Sequence, residues 1–130
     1  MTATPQSPPE EPVDPAQNAR LGVQRPSRYT TVVTASGELD EPAVPRFTEL
    51  LAARLSSTVD AIVVDWSHLD FVCLDAVDVL RAAQRRARAR GIILRVVTGP
   101  ACVHSALKAG GLRETTGICA DRIEALADLP

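Results

Sequence analysis

Aromatic side chains are scarce, at 3% of 130 residues, although hydrophobic residues reach 45%. Any core must therefore be aliphatic, built from Val, Leu, Ile and Ala. A large excess of charge is also missing. The formal net charge is −2, with no strongly basic balance, which argues against nucleic acid as a partner. No apolar run approaches the roughly 20 residues of a membrane span, so no membrane partner is expected. The opening MTATPQSPPEEPVDPAQ lacks the charged-then-apolar order of a secretory signal, and a cytoplasmic protein is expected. Cys73, Cys102 and Cys119 form no CxxC pair and lie near no pair of histidines. This speaks against a zinc site, and an odd count of widely spaced cysteines excludes a secreted disulfide framework. Neither GxGxxG nor GxxxxGK[ST] occurs, so phosphate-cradling loops have no support, and no cofactor or metal is expected.

What is present fits one domain rather than two. Residues 1–17 hold five of the ten prolines, and Val13 is their only large aliphatic side chain after Met1. Too little apolar surface is available to offset the entropy of ordering, so residues 1–18 read as a disordered tail and 19–130 as the domain. From there the pattern alternates. ARLGVQR and YTTVVTASGELD flank a PSR turn, as in a hairpin. EPAVPRFTELLAARLSS carries Phe47, Leu50, Leu51 and Leu55 at helical spacing, with Pro45 suited to a first turn. DAIVVDWS is a β-branched run of the kind buried on both faces. The stretch from Asp75 to Arg90 places Val77, Leu80, Gln84 and Ala87 at helical offsets and ends at Gly91. IILRVVTG, PACVHSALKAG, TTGICA and DRIEALADL then read as strand, helix, strand and helix. Strands that alternate with single helices imply parallel βαβ units with right-handed crossovers. If sequential strands are also neighbours, each crossover helix falls on the same face.

Function in open α/β sheets sits at the carboxyl ends of strands. Those loops are GELDEPAVP (37–45), DFVCLDAVD (70–78), TGPACVH (98–104) and the stretch around Cys119. His68 and His104 are the only histidines, and a Cys73–His104 pair has no evident third group to orient it, so the chain is not expected to be an enzyme. Asp75 and Asp78 occupy the first turn of their helix, where free N–H groups favour anions. Arg81, Arg85, Arg86, Arg88 and Arg90 crowd its other end, where cations are favoured. Helix electrostatics accounts for most of this pattern.

Three segments in order resemble the STAS domains, and within them the bacterial anti-sigma factor antagonists. SGELDEPAVPRFTELL is similar to G-E-L-D-x-x-x-x-P-x-L. AIVVDWSHLDFV is similar to V-V-V-D-L-S-x-V-x-F-I-D, and RARARGIILRVVTGPACVHSALKAGGL to R-x-x-G-x-L-x-L-V-x-P-x-x-x-V-x-x-x-L-x-x-x-G-L. The resemblance covers about residues 19–130. It implies an α/β fold: a mixed, mostly parallel sheet with helices wound on one face. It also implies a non-catalytic monomer or weak dimer that binds an anti-sigma factor of kinase-like fold and so frees a sigma factor.

In that family, F-I-D is followed by S-S/T-G-L, and the partner phosphorylates the second hydroxyl residue. Here D-S-S-G-L falls on Cys73, Leu74, Asp75, Ala76 and Val77. Asp75 has no hydroxyl to esterify. It carries about one negative charge where phosphate carries about 1.5 to 2. Asp75 therefore either imitates the phosphorylated, non-binding state or gives binding that no kinase can switch off; the second is favoured, since a permanently inactive regulator has little use. The expected contact surface is Glu38, Asp40, Leu74, Asp75 and Asp78. Cys73, Cys102 and Cys119 each follow or end a strand, so a redox switch through a Cys73–Cys102 bridge is a further expectation. Two alternatives are a STAS module that binds a nucleotide or other small ligand and a scaffold or transporter-associated subunit.

Overall fold

Val and Ile crowd the runs TVV, AIVV and ILRVV, and each run forms a strand, since branched side chains suit a pleated surface covered on both sides. The computed structural model describes residues 18–112 and 117–130. Apart from Asn18, the expected proline-rich tail lies outside the described residues, as do Thr115 and Thr116 of the expected last strand. Strands β1 (Ala19–Gln24), β2 (Thr30–Leu39), β3 (Ala61–Val72), β4 (Ile93–Val97) and β5 (Gly117–Cys119) lie side by side in chain order. Between them run α1 (Val44–Leu55), α2 (Leu74–Ala89) and α3 (Ala101–Ala109), and α4 (Arg122–Leu126) follows β5. β1 and β2 are an antiparallel hairpin, and every later pairing is parallel.

Sequential parallel strands send each crossover helix to the same side. There Phe47, Leu51 and Leu55 of α1, Val77 and Leu80 of α2, and Val103 and Leu107 of α3 bury against Val33, Ile62, Val64 and Val96. Trp66 and Phe47 meet at the centre of this aliphatic layer, with ring centroids 5.7 Å apart and planes tilted by 50°. α4 is not a crossover and covers the opposite face, where Ala125 packs with Val32, Val63, Val97 and Cys119.

β3 is longer than its β-branched run, continuing through Ser67–Val72. It pairs with β2 from Thr30–Ala61 to Leu39–Val72, so that ten residues of β2 face twelve of β3. The two extra residues enter as bulges, one between Asp65 and His68 and one between Leu69 and Phe71. On its other side β3 pairs with β4 only from Ala61 to Asp65. The expected 70–78 loop therefore shrinks to Cys73, because residues 70–72 complete β3 and α2 begins at Leu74.

α4 is held across the sheet by charge. Asp65 is 3% exposed. Its Oδ1 accepts from the Ser67 hydroxyl at 2.6 Å and the Ser67 N–H at 3.0 Å. Its Oδ2 accepts from Arg122 Nη2 at 2.8 Å and Nε at 3.1 Å. Arg122 also donates to Gln24 Oε1, and Asp121 caps α4 by accepting from the Glu124 N–H at 2.8 Å. At the same pole the Pro130 carbonyl accepts from Ser27 Oγ at 2.8 Å and Thr30 Oγ1 at 3.1 Å. Burial alone would raise the Asp65 carboxyl, but the Ser67 hydroxyl and N–H and the Arg122 guanidinium outweigh it and hold the group below its ordinary value.

Removing Arg122 leaves a buried carboxylate short of two donors. Arg122→Ala is expected to lower stability by about 2 kcal/mol in urea unfolding. Because the folded value of Asp65 lies below the unfolded one, its contribution is complete above about pH 3.9 and fades as pH falls through the folded value. As pH falls below about 3.9, the native chain should therefore lose more stability than Asp65→Asn.

Candidate functional site

The carboxyl ends of β2 and β3 meet one end of α1 and of α2, and backbone geometry sets that junction. Gly37 has φ +83°, and a Cβ there would lie 2.3 Å from the Asn18 carbonyl oxygen. Only glycine allows the start of β1 to close on β2 here, where the Glu38 N–H donates to that carbonyl at 3.0 Å. Leu39 turns inward and is fully buried, while Glu38 is exposed and faces Phe71 as its register partner. Asp40 is half-buried, accepts from Asn18 Nδ2 at 3.4 Å, and opens a 3₁₀ turn (Glu41–Ala43) that leads into α1. The Leu39 carbonyl accepts from the Cys73 N–H at 3.0 Å, which ties the GELD turn to the start of α2.

α2 leaves this junction with Cys73 extended as its N-cap residue. Leu74 is 57% exposed, and Asp75 and Asp78 are exposed on the same rim, while Ala76 and Val77 anchor the turn in the core. Asp78 pairs with Arg81 one turn on, at 3.5 Å. Thus Glu38, Asp40, Leu74, Asp75 and Asp78 all lie around one edge. Phe71, 48% exposed, belongs to the same surface and escaped the sequence reading. Its signal was a large aromatic beside the buried Leu69 and Val72, masked by the bulge that turns it outward. Free N–H groups at the start of α2 stabilise carboxylates there. His104 is exposed on α3, and His68 Nδ1 lies 3.2 Å from Ser67 Oγ. Among the described residues, no cluster of His, Cys, Asp and Glu could hold a metal ion. The edge thus carries two exposed apolar side chains, Phe71 and Leu74, and several carboxylates.

The three thiols do not gather at this edge, and no disulfide joins them. Cys119 pairs with Val97, which stands level with Asp65, eight residues short of Cys73. At about 3.3 Å per residue the separation is on the order of 25 Å. Cys102 Sγ donates to the Leu69 carbonyl at 3.7 Å, four residues before Cys73. A Cys73–Cys102 bridge, which needs Cα atoms within about 7 Å, does not fit these positions. The expectation failed because β3 outruns β4, so neighbouring strands end at different heights.

Solved structures share this architecture. An anti-sigma factor antagonist from Mycobacterium paratuberculosis is 20% identical, with a TM-score of 0.75 over 89% of this chain and 97% of that one. The anti-sigma factor antagonist SpoIIAA in its unphosphorylated form is 20% identical, with a TM-score of 0.69 over 82% and 92%. The Bacillus cell fate determinant SpoIIAA in its phosphorylated form is 19% identical, with a TM-score of 0.65 over 82% and 96%. At such identities the likeness defines a class of fold, the SpoIIAA-like mixed sheet with helices. The family model described as "Mlab, STAS domain" matches residues 23–119, and the chain belongs to the STAS domain family. A comparison with curated proteins gives no match. Among the described residues, no helix is long and apolar enough to cross a membrane.

Burial, followed by the nearby Glu124 carboxylate, pushes the Cys119 thiol up, and the thiolate is the reactive form. Iodoacetamide should therefore modify exposed Cys102 first and Cys119 only as the chain unfolds. Mild peroxide should leave no Cys73–Cys102 cross-link by peptide mass spectrometry.

Proposed function

We propose that this chain is an anti-sigma factor antagonist that acts in the cytoplasm by contact alone, binding an anti-sigma factor of kinase-like fold and so freeing a sigma factor. Its partner surface is Glu38, Asp40, Leu74, Asp75 and Asp78, joined by Phe71. The observation that carries this reading is the exposure of Asp75 in the first turn of α2, beside the GELD turn, at the position that D-S-S-G-L gives to a hydroxyl residue. STAS family membership and the likeness to two antagonists support it.

Asp75 fixes how such a protein is regulated. Asp75 offers no hydroxyl for a serine or threonine kinase to esterify, so the partner cannot switch this spot in the way it does in relatives. Relatives that lose and gain phosphate alternate between no charge and about −1.5 to −2. A carboxylate in place of that hydroxyl suits a partner whose surface offers one cation to it. Exposed Leu74 and Phe71 supply the desolvating apolar area that such a contact needs to be strong.

Titration calorimetry against the kinase-like anti-sigma factors of the same organism tests this. The native chain should bind one of them equally with and without Mg-ATP, and its mass should stay unchanged. Asp75→Lys should weaken that complex at least tenfold. Failure of the native chain to bind any of them would overturn the reading.

A further inference from the structure

Asp75, Val79, Ala82 and Arg86 recur along α2 at offsets of four, seven and eleven residues. At 3.6 residues per turn, all four fall on one narrow stripe. Val79 and Ala82 form one wall of an apolar groove between α1 and α2, and Thr48 and Ala52 line the other. Arg86 stands at its far end, where its Nη2 donates to Ser56 Oγ at 2.6 Å and holds the exposed guanidinium in place. The groove holds about 170 Å³. An apolar cavity of about 150 Å³ accepts a benzene ring, so this one takes a single Phe or Leu side chain.

Charge brackets the groove. Asp75 lies at one end and Arg86 at the other, eleven residues and about 16 Å away along the helix axis, while Asp78 sits off the stripe and pairs with Arg81. An occupant complementary to this stripe has a cation at the first end, an apolar anchor in the middle and a carboxylate at the second. A helix with basic residues in its last turn and acidic ones in its first matches that order, because its own dipole favours the same arrangement. Such a helix would lie antiparallel to α2.

We infer that the α1–α2 groove is a docking slot for an amphipathic helix of the anti-sigma factor, an inference that rests on the antagonist reading above. One Phe or Leu of that helix enters between Ala52 and Val79. A Lys or Arg near its carboxyl end meets Asp75, and an Asp or Glu about three turns earlier meets Arg86. The contact surface thus extends from the GELD edge along the outside of α2, well beyond the residues around Asp75.

The test measures affinity of the full chain for the anti-sigma factor that the native protein binds, using four variants whose folding is checked by circular dichroism and melting. Ala82→Glu and Thr48→Glu approach the groove from opposite walls at exposed positions, so each stands in if the other fails to fold. Each should weaken binding at least thirtyfold. Arg86→Glu should weaken it about five- to tenfold, with the loss shrinking as salt rises. Leu74→Asp should also weaken binding, by perturbing the edge alone. If Leu74→Asp weakens binding while Ala82→Glu, Thr48→Glu and Arg86→Glu all stay within twofold of native, the groove is not the slot and the antagonist reading survives. A native chain that binds no kinase-like anti-sigma factor overturns both.

Discussion

β2 and β3 stay paired from Thr30–Ala61 to Leu39–Val72, while β4 leaves β3 after Asp65–Val97. This inequality governs one whole end of the molecule. It carries β3 seven residues past its other neighbour, so the carboxyl ends of β2 and β3 form a promontory of their own. α3 has to start against the flank of β3, which is why a Cβ on Gly99 would sit 3.0 Å from that of Ser67. α2 can only begin where β3 stops, with Cys73 alone between Val72 and Leu74. The acidic edge is therefore a product of strand length before it is a product of charge.

The two faces of the sheet are stabilised differently. On the crossover side, a continuous aliphatic layer is tied together by the Trp66–Phe47 contact. Each fully buried side chain of that size contributes roughly 1.5 to 3 kcal/mol relative to exposure. The opposite face has a much smaller apolar cluster, and Asp65, Ser67 and Arg122 supply a hydrogen-bonded ion pair in place of further apolar area. Such a pair adds little net stability when intact and costs heavily when broken, so it specifies where α4 docks more than how tightly.

Much of this was legible in the sequence because its signals were local. The branched runs marked the strands, Phe47, Leu51 and Leu55 marked the inner stripe of α1, and Gly91, with φ +73°, marked the chain reversal after α2. The second half of β3 was not legible. SHLDFV breaks the two-residue period twice, once at each bulge, so His68 and Asp70 resembled loop residues. Phe71 was lost for the same reason. The cysteines were misjudged because rim positions were compared as if neighbouring strands ended level. The side taken by α4 depends on Asp65 and Arg122, 57 residues apart, which periodicity does not connect.

Asn18 is locked against Gly37 and Glu38 at the acidic edge, while Pro130 is tethered to Ser27 and Thr30 at the opposite pole. A group joined directly to Asn18 would therefore emerge beside the GELD turn. A purification handle, fluorophore or sensor-chip linkage placed after Pro130 would instead leave from the opposite pole, beside Ser27 and Thr30.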